Sequence, residues 1–461
     1  MIAKESNNNQ QHMTVKHYVS NSIKVLALLM IILLCPFRGQ AAMNLKDAFS
    51  LLKEQNPTIQ EAIHRISGAQ AQIQAARSAY LPKWTLRSSY LGSDNPIQVF
   101  GAILNQSAFT PGLDFNNVPT VDNLNLQSML TYPLFTGGQR KAQLMAATSQ
   151  RKAAEWASQV VERHLQLTIT EVMLDITKAR SMIQTANQAV QSMESNLTLS
   201  QNRRDAGTAL EQEVLDVQVK LSDARIARLQ AQNMLNLAKA SLRMLLAWPE
   251  DQTLDVADEM EQIVAPDESE SKQRPERLAA RALTNSAQEQ LRAAKAESRP
   301  KVQLFGSYDA NHGWKTGESL GSWTAGIAME WSLWSGGLNK AKRDKAQSGL
   351  RASESREEAL RLQHQFEIQK AKLELTEARL RSEMAAETVQ LAEESLRLTR
   401  NRYEQGLGIV NQLLDAETAQ TKARMDATHA HIETTQATAR LRHALGLPIL
   451  DTTPNISSQN E

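Results

Sequence analysis

The chain carries one pattern twice. Pro82, Lys83, Leu86, Ser89 and Tyr90 recur as Pro300, Lys301, Leu304, Ser307 and Tyr308, each displaced by 218 positions, and the same displacement takes Pro57 to Pro275. Farther along the displacement is 199. Leu134, Gly137, Gly138 and Lys141 recur as Leu333, Gly336, Gly337 and Lys340. Asn202, Arg203, Gly207, Leu215 and Asp216 recur as Asn401, Arg402, Gly406, Leu414 and Asp415, and Leu242, Arg243 and Pro249 as Leu441, Arg442 and Pro448. The change from 218 to 199 places 19 extra residues in the first copy, between Tyr90 and Leu124. Any fold for this chain is therefore built from two like units.

Each unit reads as helix, strand, strand, helix, helix, which makes the chain α+β. The first unit spans 42–249, with strands about 84–91 and 123–135, a long helix about 139–204 and a returning helix about 210–248. The second spans 275–449, with strands about 302–309 and 323–334, a long helix about 338–404 and a returning helix about 410–446. Between them, 250–274 is an acidic linker expected to lie outside the helices as an equatorial band. The first inter-strand loop, about 92–122, holds Asn, Asp, Pro and Gly around the apolar patch Ile97 to Leu104 and is expected to face the cell exterior, where the longer loops of membrane barrels lie.

The strand segments alternate. Trp84, Leu86, Ser88 and Tyr90 share a face, as do Leu124, Leu126, Ser128, Leu130, Tyr132 and Leu134, against Asn123, Asn125, Gln127 and Thr131. Val302, Leu304, Gly306 and Tyr308 align likewise, as do Trp323, Ala325, Ile327, Met329, Trp331 and Leu333. Apolar residues on one face, polar on the other, with Trp and Tyr near segment ends, is the pattern of a transmembrane barrel; a soluble sandwich hairpin shares the alternation alone. Four strands cannot close a barrel in lipid, because the smallest has about eight and open edges are not tolerated there. Closure needs several chains, and geometry alone permits a dimer of eight strands or a trimer of twelve.

Gly137-Gly138 and Gly336-Gly337 mark the passage from strand to helix, where permissive backbone is useful. From Asn339 to Glu404 the only Pro or Gly is Gly349, giving a helix of roughly 100 Å. Two apolar stripes run along it: Phe366, Leu373, Leu380, Met384, Leu391 and Leu398, and Ile368, Leu375, Val389, Leu396 and Tyr403. They sit two positions apart, roughly 200° around the helix, so the helix has a neighbour on each side. That suits a wall of cylinders better than a two-stranded coiled coil, which needs one seam.

The N-terminus reads as a signal peptide over 1–41: basic Lys16, His17 and Lys24, an apolar run Val25 to Leu34 too short to span a bilayer, then Gly39 and Ala41 at a cleavage site, with the mature chain starting near Ala42. Cys35, the only cysteine, lies inside it; Leu33 and Leu34 upstream are not the small residues that lipidation of Cys35 needs. Residues 450–461 read as a disordered tail. A net charge of +1 gives no reason to expect nucleic acid.

Taken together, these residues resemble the outer-membrane efflux protein family of the TolC type over about 44–449. The likeness rests on the doubled plan, the Pro-Lys and Gly-Gly punctuation, and Arg402-Tyr403-Glu404-Gln405-Gly406 followed by Leu414-Asp415. The resemblance implies a homotrimer with a 12-stranded outer-membrane β-barrel continuous with a 12-helix periplasmic α-barrel. It implies an exit duct for tripartite efflux or type I secretion, docked to a periplasmic adaptor and an inner-membrane RND, ABC or MFS pump. It makes the turns after the long helices the periplasmic tips, with Gly207, Thr208, Gly406 and Leu407 where an adaptor meets the tube. It assigns Tyr403, Glu213, Asp216, Gln412 and Asp415 to the periplasmic entrance. Gln412 stands where the family can carry an acid and Gly408 where it can carry an Arg. Asp216 and Asp415 are also explained as early-helix acids favoured by the helix dipole. No enzyme motif, cofactor site or metal cluster is expected; His429 and His431 fall on opposite helix faces. A periplasmic coiled-coil adaptor or structural protein would account for the helices but not for the duplicated amphipathic strand pairs.

Overall fold

The computed structural model describes residues 42–450 apart from 115, 259–260 and 268–269. The leader, with Cys35 and the cleavage site, and the tail beyond Leu450 lie outside the described residues.

In chain order the elements are α1 (Leu45–Gln55), α2 (Pro57–Ser78), β1 (Lys83–Ser93), α3 (Pro96–Asn105), β2 (Val121–Phe135), α4 (Gln139–Asp205), α5 (Glu211–Leu246), α6 (Pro275–Ala296), β3 (Lys301–His312), β4 (Ser319–Glu330), α7 (Leu338–Glu404) and α8 (Val410–Ala444). Among the described residues, no helix is long and apolar enough to cross a membrane.

The strands form one antiparallel sheet in the order β1-β2-β3-β4, and among the described residues both outer edges are unpaired. The register aligns the alternating residues: Trp84 opposite Leu130, Leu130 opposite Gly306, Gly306 opposite Ala325. Trp84, Leu86, Tyr90, Trp323, Ile327 and Met329 are all exposed on that apolar face. The other face carries a polar ladder. Asn123 donates to Asn311 at 2.9 Å, Asn125 to Asn311 at 3.1 Å and Gln127 to Asp309 at 2.9 Å. The strands run 11 to 15 residues, enough to cross a hydrocarbon layer, which takes about 9–11 in a tilted strand.

Two elements differ from the sequence expectation. β4 is Ser319–Glu330 rather than 323–334: its last partner is Lys301, and the next position on β3's side is Pro300, which has no N–H to give. Trp331 and Leu333 therefore fall beyond the strand. The patch Ile97 to Leu104, expected as loop, is the helix α3. Asn95 caps it, accepting from Ile97 N at 3.1 Å, and Pro96 opens its first turn.

The two long helices have 67 residues each. In the half nearer the sheet the wall runs α2, α4, α6, α7; in the half nearer the turns it runs α5, α4, α8, α7. So α7 forms one edge of the wall throughout, and α2 with α5 forms the other. The linker between the units packs at mid-height. Met43 bridges Val256, Arg180 donates to Val256 O at 2.9 Å, and Leu254, Val256 and Ile263 share a core with Leu45, Ile169, Met173 and Leu242.

At the same height α8 ends against charge. Arg163 donates to the carbonyls of Gly446 at 2.9 Å and Leu447 at 3.0 Å, a cation placed on a helix C-terminus. Arg274, nearly buried, pairs with Glu276 at 2.8 Å and with Glu367. Burial, with Arg163 and Arg274 beside it, lowers His443 to about 4, and burial together with Arg274 lowers His364 in the same cluster. A histidine held neutral in the fold binds its proton in the unfolded chain first. Stability is therefore full above about pH 6.5 and is lost as the pH falls toward 4. Glu276 and Glu367, both lowered, add a further loss below the ordinary carboxylate range. A pH series of melting curves followed by helical circular dichroism is expected to show His443→Gln removing about 1–3 kcal/mol of the loss between pH 6.5 and 4. An unchanged pH profile in His443→Gln would exclude this assignment.

Candidate functional site

A wall with two free edges is the first functional feature. On α7 the stripe Leu375, Leu396 and Tyr403 is buried, packed on α8 and α4. The second stripe, Phe366, Leu373, Leu380, Met384, Leu391 and Leu398, is exposed along its whole length, with Leu373 at 70%. The opposite edge of the wall has a matching row on α5: Leu215, Val219, Ile226, Leu229, Leu237 and Met244, also exposed. The two rows occur at the same heights. Leu398 and Leu215 each lie 8 residues from their turn glycines, Gly406 and Gly207, and Met384 and Leu229 each lie 22. The sheet above has the same property, with β1 and β4 free at the same two sides.

The strand-to-helix passages sit between sheet and wall. Gly137, Gly138, Gly336 and Gly337 have φ of +64°, +91°, +60° and +88°, a region that disfavours side chains. A Cβ on Gly137 would also lie 2.6 Å from Arg299 Cβ and 2.9 Å from Ala296 O, so a side chain there would collide with the end of α6. Arg299 donates to Gly137 O at 2.9 Å.

At the far end the helix pairs reverse at Gly207 and Gly406, both at φ +75°. The closing bonds match: Thr208 N donates to Arg203 O and Leu407 N to Arg402 O, each at 2.9 Å. Gly207, Thr208, Gly406 and Leu407 are exposed, and Leu210, Leu407 and Ile409 present apolar side chains at the tips. Glu213 and Asp216 are half-exposed near the start of α5; Gln412 and Asp415 are exposed near the start of α8. Among the described residues none of these four side chains has a hydrogen-bonded or ion-paired partner. Tyr403 is 2% exposed, in a core with Leu396, Val410, Leu413 and Leu414, and among the described residues its hydroxyl has no hydrogen-bond partner.

Three arginines fasten the two units together near the tip, and the sequence pattern does not single them out for this. Arg203 of α4 donates to Tyr403 O at 2.9 Å and lies over its ring at 4.4 Å. Arg400 of α7 reaches Glu417 of α8 at 2.7 Å and Ser192 of α4 at 3.3 Å. Arg424 of α8 binds Glu393 of α7 at 2.7 Å and Gln188 of α4 at 3.0 Å. Glu417 is the buried member, its side chain 3% exposed. Burying a carboxylate is costly unless it is paired, and Arg400 supplies the pair.

Comparison with known proteins gives one consistent picture. The family model described as outer membrane efflux protein matches residues 48–247 and 268–447. Protein CyaE of Bordetella pertussis is 26% identical over 406 residues, covering 82% of this chain and 79% of that protein. The outer membrane protein VceC from Vibrio cholerae superposes with a TM-score of 0.75 at 20% identity, over 88% of this chain and 97% of that one. The Campylobacter jejuni CmeC outer membrane channel superposes with a TM-score of 0.76 at 15% identity, over 87% and 85%.

Proposed function

This chain belongs to the outer membrane efflux protein family, an outer-membrane channel with its helical part in the periplasm, and from that premise we propose that three copies close side by side into one duct. The observation that carries the reading is the coincidence of free edges. The unpaired strands β1 and β4 stand above the exposed apolar rows of α5 and α7, on the same two sides of the chain. Three copies give a 12-stranded barrel whose apolar face meets lipid and a helical tube below it. Lateral pairing of β4 with β1 of the next copy satisfies the backbone groups that lipid would leave without partners.

In this reading the tube carries substrates from an inner-membrane pump of the RND, ABC or MFS class to the outside. A periplasmic adaptor meets the tips at Gly207, Thr208, Gly406 and Leu407. Their exposed backbone turns, flanked by Leu210 and Ile409, offer an apolar surface for a helical hairpin. The arrangement is tested by extraction. The protein is expected in the outer-membrane fraction, released only by detergent, with the mass of three chains. A monomeric mass with full export activity would exclude the architecture.

The entrance lies among Glu213, Asp216, Gln412 and Asp415, with Tyr403 packed behind them. Three copies of each acid around one axis reinforce one another and favour cations. Glu213→Gln with Asp415→Asn is expected to lower the cation-to-anion permeability ratio in planar bilayers several-fold. Folding should be unaffected, because among the described residues neither side chain holds a partner. An unchanged ratio would reduce both to early-helix acids.

A further inference from the structure

We propose that α3 is a plug: three copies of it meet inside the outer mouth of the barrel and close it from the exterior. This rests on the trimeric barrel proposed above. Helix α3 contacts both β2 and β4, which β3 separates, so it crosses the sheet at its outer end instead of standing clear of it. The face it crosses is the polar one. Val99 and Ile103 pack on Val121, and Gln106 donates to the Asn123 side chain at 2.9 Å. Val121 and Asn123 alternate onto the same side as Asn125 and Gln127. In a closed barrel that side is the interior.

The placement is fixed by a buried clamp. Gln106, fully buried at the end of α3, also donates to Asp122 O at 2.7 Å and accepts from Thr316 Oγ at 2.7 Å. Gly313 leaves the room this needs, since a Cβ there would lie 2.2 Å from Gln106 Oε1. One side chain thus ties the helix to the start of β2 and to the β3–β4 turn. The carboxylate of Asp122 completes the joint, accepting from Lys315 N at 2.9 Å and Trp314 N at 3.2 Å. The end of the helix is also set: Ala108 N donates back to Ile103 O at 2.9 Å, with Ser107 in the left-handed conformation.

With Val99 and Ile103 buried, the rest of α3 and the segment after it turn apolar side chains away from the sheet. Ile97 is 84% exposed, and Leu104 and Phe109 are exposed as well. Water is a poor occupant for such a face, and lipid lies on the other side of the sheet. What faces it across the mouth is the same helix of the other two copies. The sizes fit. Twelve strands about 4.8 Å apart and tilted about 40° enclose roughly 24 Å between backbones. Three helices, each about 10 Å across, fill that opening. An apolar constriction of this kind also excludes water and ions by dewetting.

The test reads access from outside the cell, so closure at the periplasmic tip does not enter. In a Cys35→Ser background, Thr131→Cys places a thiol on the polar face below α3, and Leu130→Cys places one on the apolar face. Whole cells are treated with a large polyethylene-glycol maleimide. Replacing 96–105 by a Gly/Ser segment of equal length is expected to speed labelling of Thr131→Cys by about ten-fold or more, and Gln106→Ala to speed it less. Ile97→Cys is expected to give disulfide-linked dimers on mild oxidation. Equal labelling of Thr131→Cys with and without α3, with Leu130→Cys protected and no dimers from Ile97→Cys, overturns the plug and leaves the barrel standing. Labelling of Leu130→Cys as fast as Thr131→Cys overturns the barrel itself.

Discussion

Leu373→Glu combined with Leu391→Glu is expected to leave the chain monomeric in detergent and to abolish export. Both residues belong to the outer stripe of α7, exposed in the single chain and opposite the row on α5 that stands at the same heights. Burying one such leucine contributes about 1.5–3 kcal/mol, and a duct of three copies uses each row three times. Two carboxylates in that seam remove the apolar gain and add buried charge without a partner, a cost of several kcal/mol at each interface. The inner stripe supplies the contrast. Leu375→Ala empties a site packed within the chain, in the core shared with Ala437 and Leu441, and costs about 2–5 kcal/mol of folding stability without touching an edge. Mass measurement in detergent separates the two: monomer for the double glutamate variant, three chains with a lowered melting temperature for Leu375→Ala. A trimer that survives both glutamates would mean that the strands alone hold the copies together.

The amino-acid pattern of α7 carries part of that contrast. The seven-residue spacing of both stripes says that two sides are covered, and the roughly 200° between them says that the coverings are different neighbours. It does not say which neighbour belongs to the same chain. The inner stripe is covered by α8 because the turn at Gly406 brings α8 back along it, whereas among the described residues nothing returns along the other side. The strand faces are equally legible, because period-two alternation is local. Helix α3 is not. Ile97 to Leu104 lies in the first copy's extra residues, so the repeat cannot predict it. The available signal is Asn95-Pro96, which repeats Asn56-Pro57 at the head of α2, where Asn56 accepts from Thr58 N at 2.8 Å. The end of β4 is hidden for a different reason. Trp331 and Leu333 keep the alternation, but a strand needs a partner, and β3 begins only after Pro300. The tip arginines are out of reach of any sequence pattern. Arg400, Arg424 and Glu417 read as ordinary helix charges, and only the fold sets Arg400 and Glu417 across neighbouring helices with the carboxylate sealed from water.

Arg400→Ala is expected to open the periplasmic tip. The substitution removes the cation at 2.7 Å from Glu417 and leaves that carboxylate buried, with its other oxygen already lacking a partner among the described residues. Breaking a buried pair from one side costs about 3–5 kcal/mol, because the remaining charge cannot stay where it is. It regains water most directly if α8 moves away from α7 and α4, and that movement widens the tip. Arg400 is itself partly exposed, so the lower end of the range applies. Even about 1.4 kcal/mol per chain is a ten-fold change in the closed-to-open ratio, and three chains share one entrance. Single-channel conductance in planar bilayers is expected to rise several-fold, and cells are expected to become sensitive to large antibiotics that the closed duct excludes. Glu417→Gln is the deciding partner. A neutral amide can remain buried, so Arg400→Ala with Glu417→Gln should return toward the parent conductance, with a coupling of about 1–3 kcal/mol in a double-mutant cycle. If the double variant conducts as freely as Arg400→Ala, the tip is held by other contacts, and the bond from Arg203 to Tyr403 O becomes the next one to break.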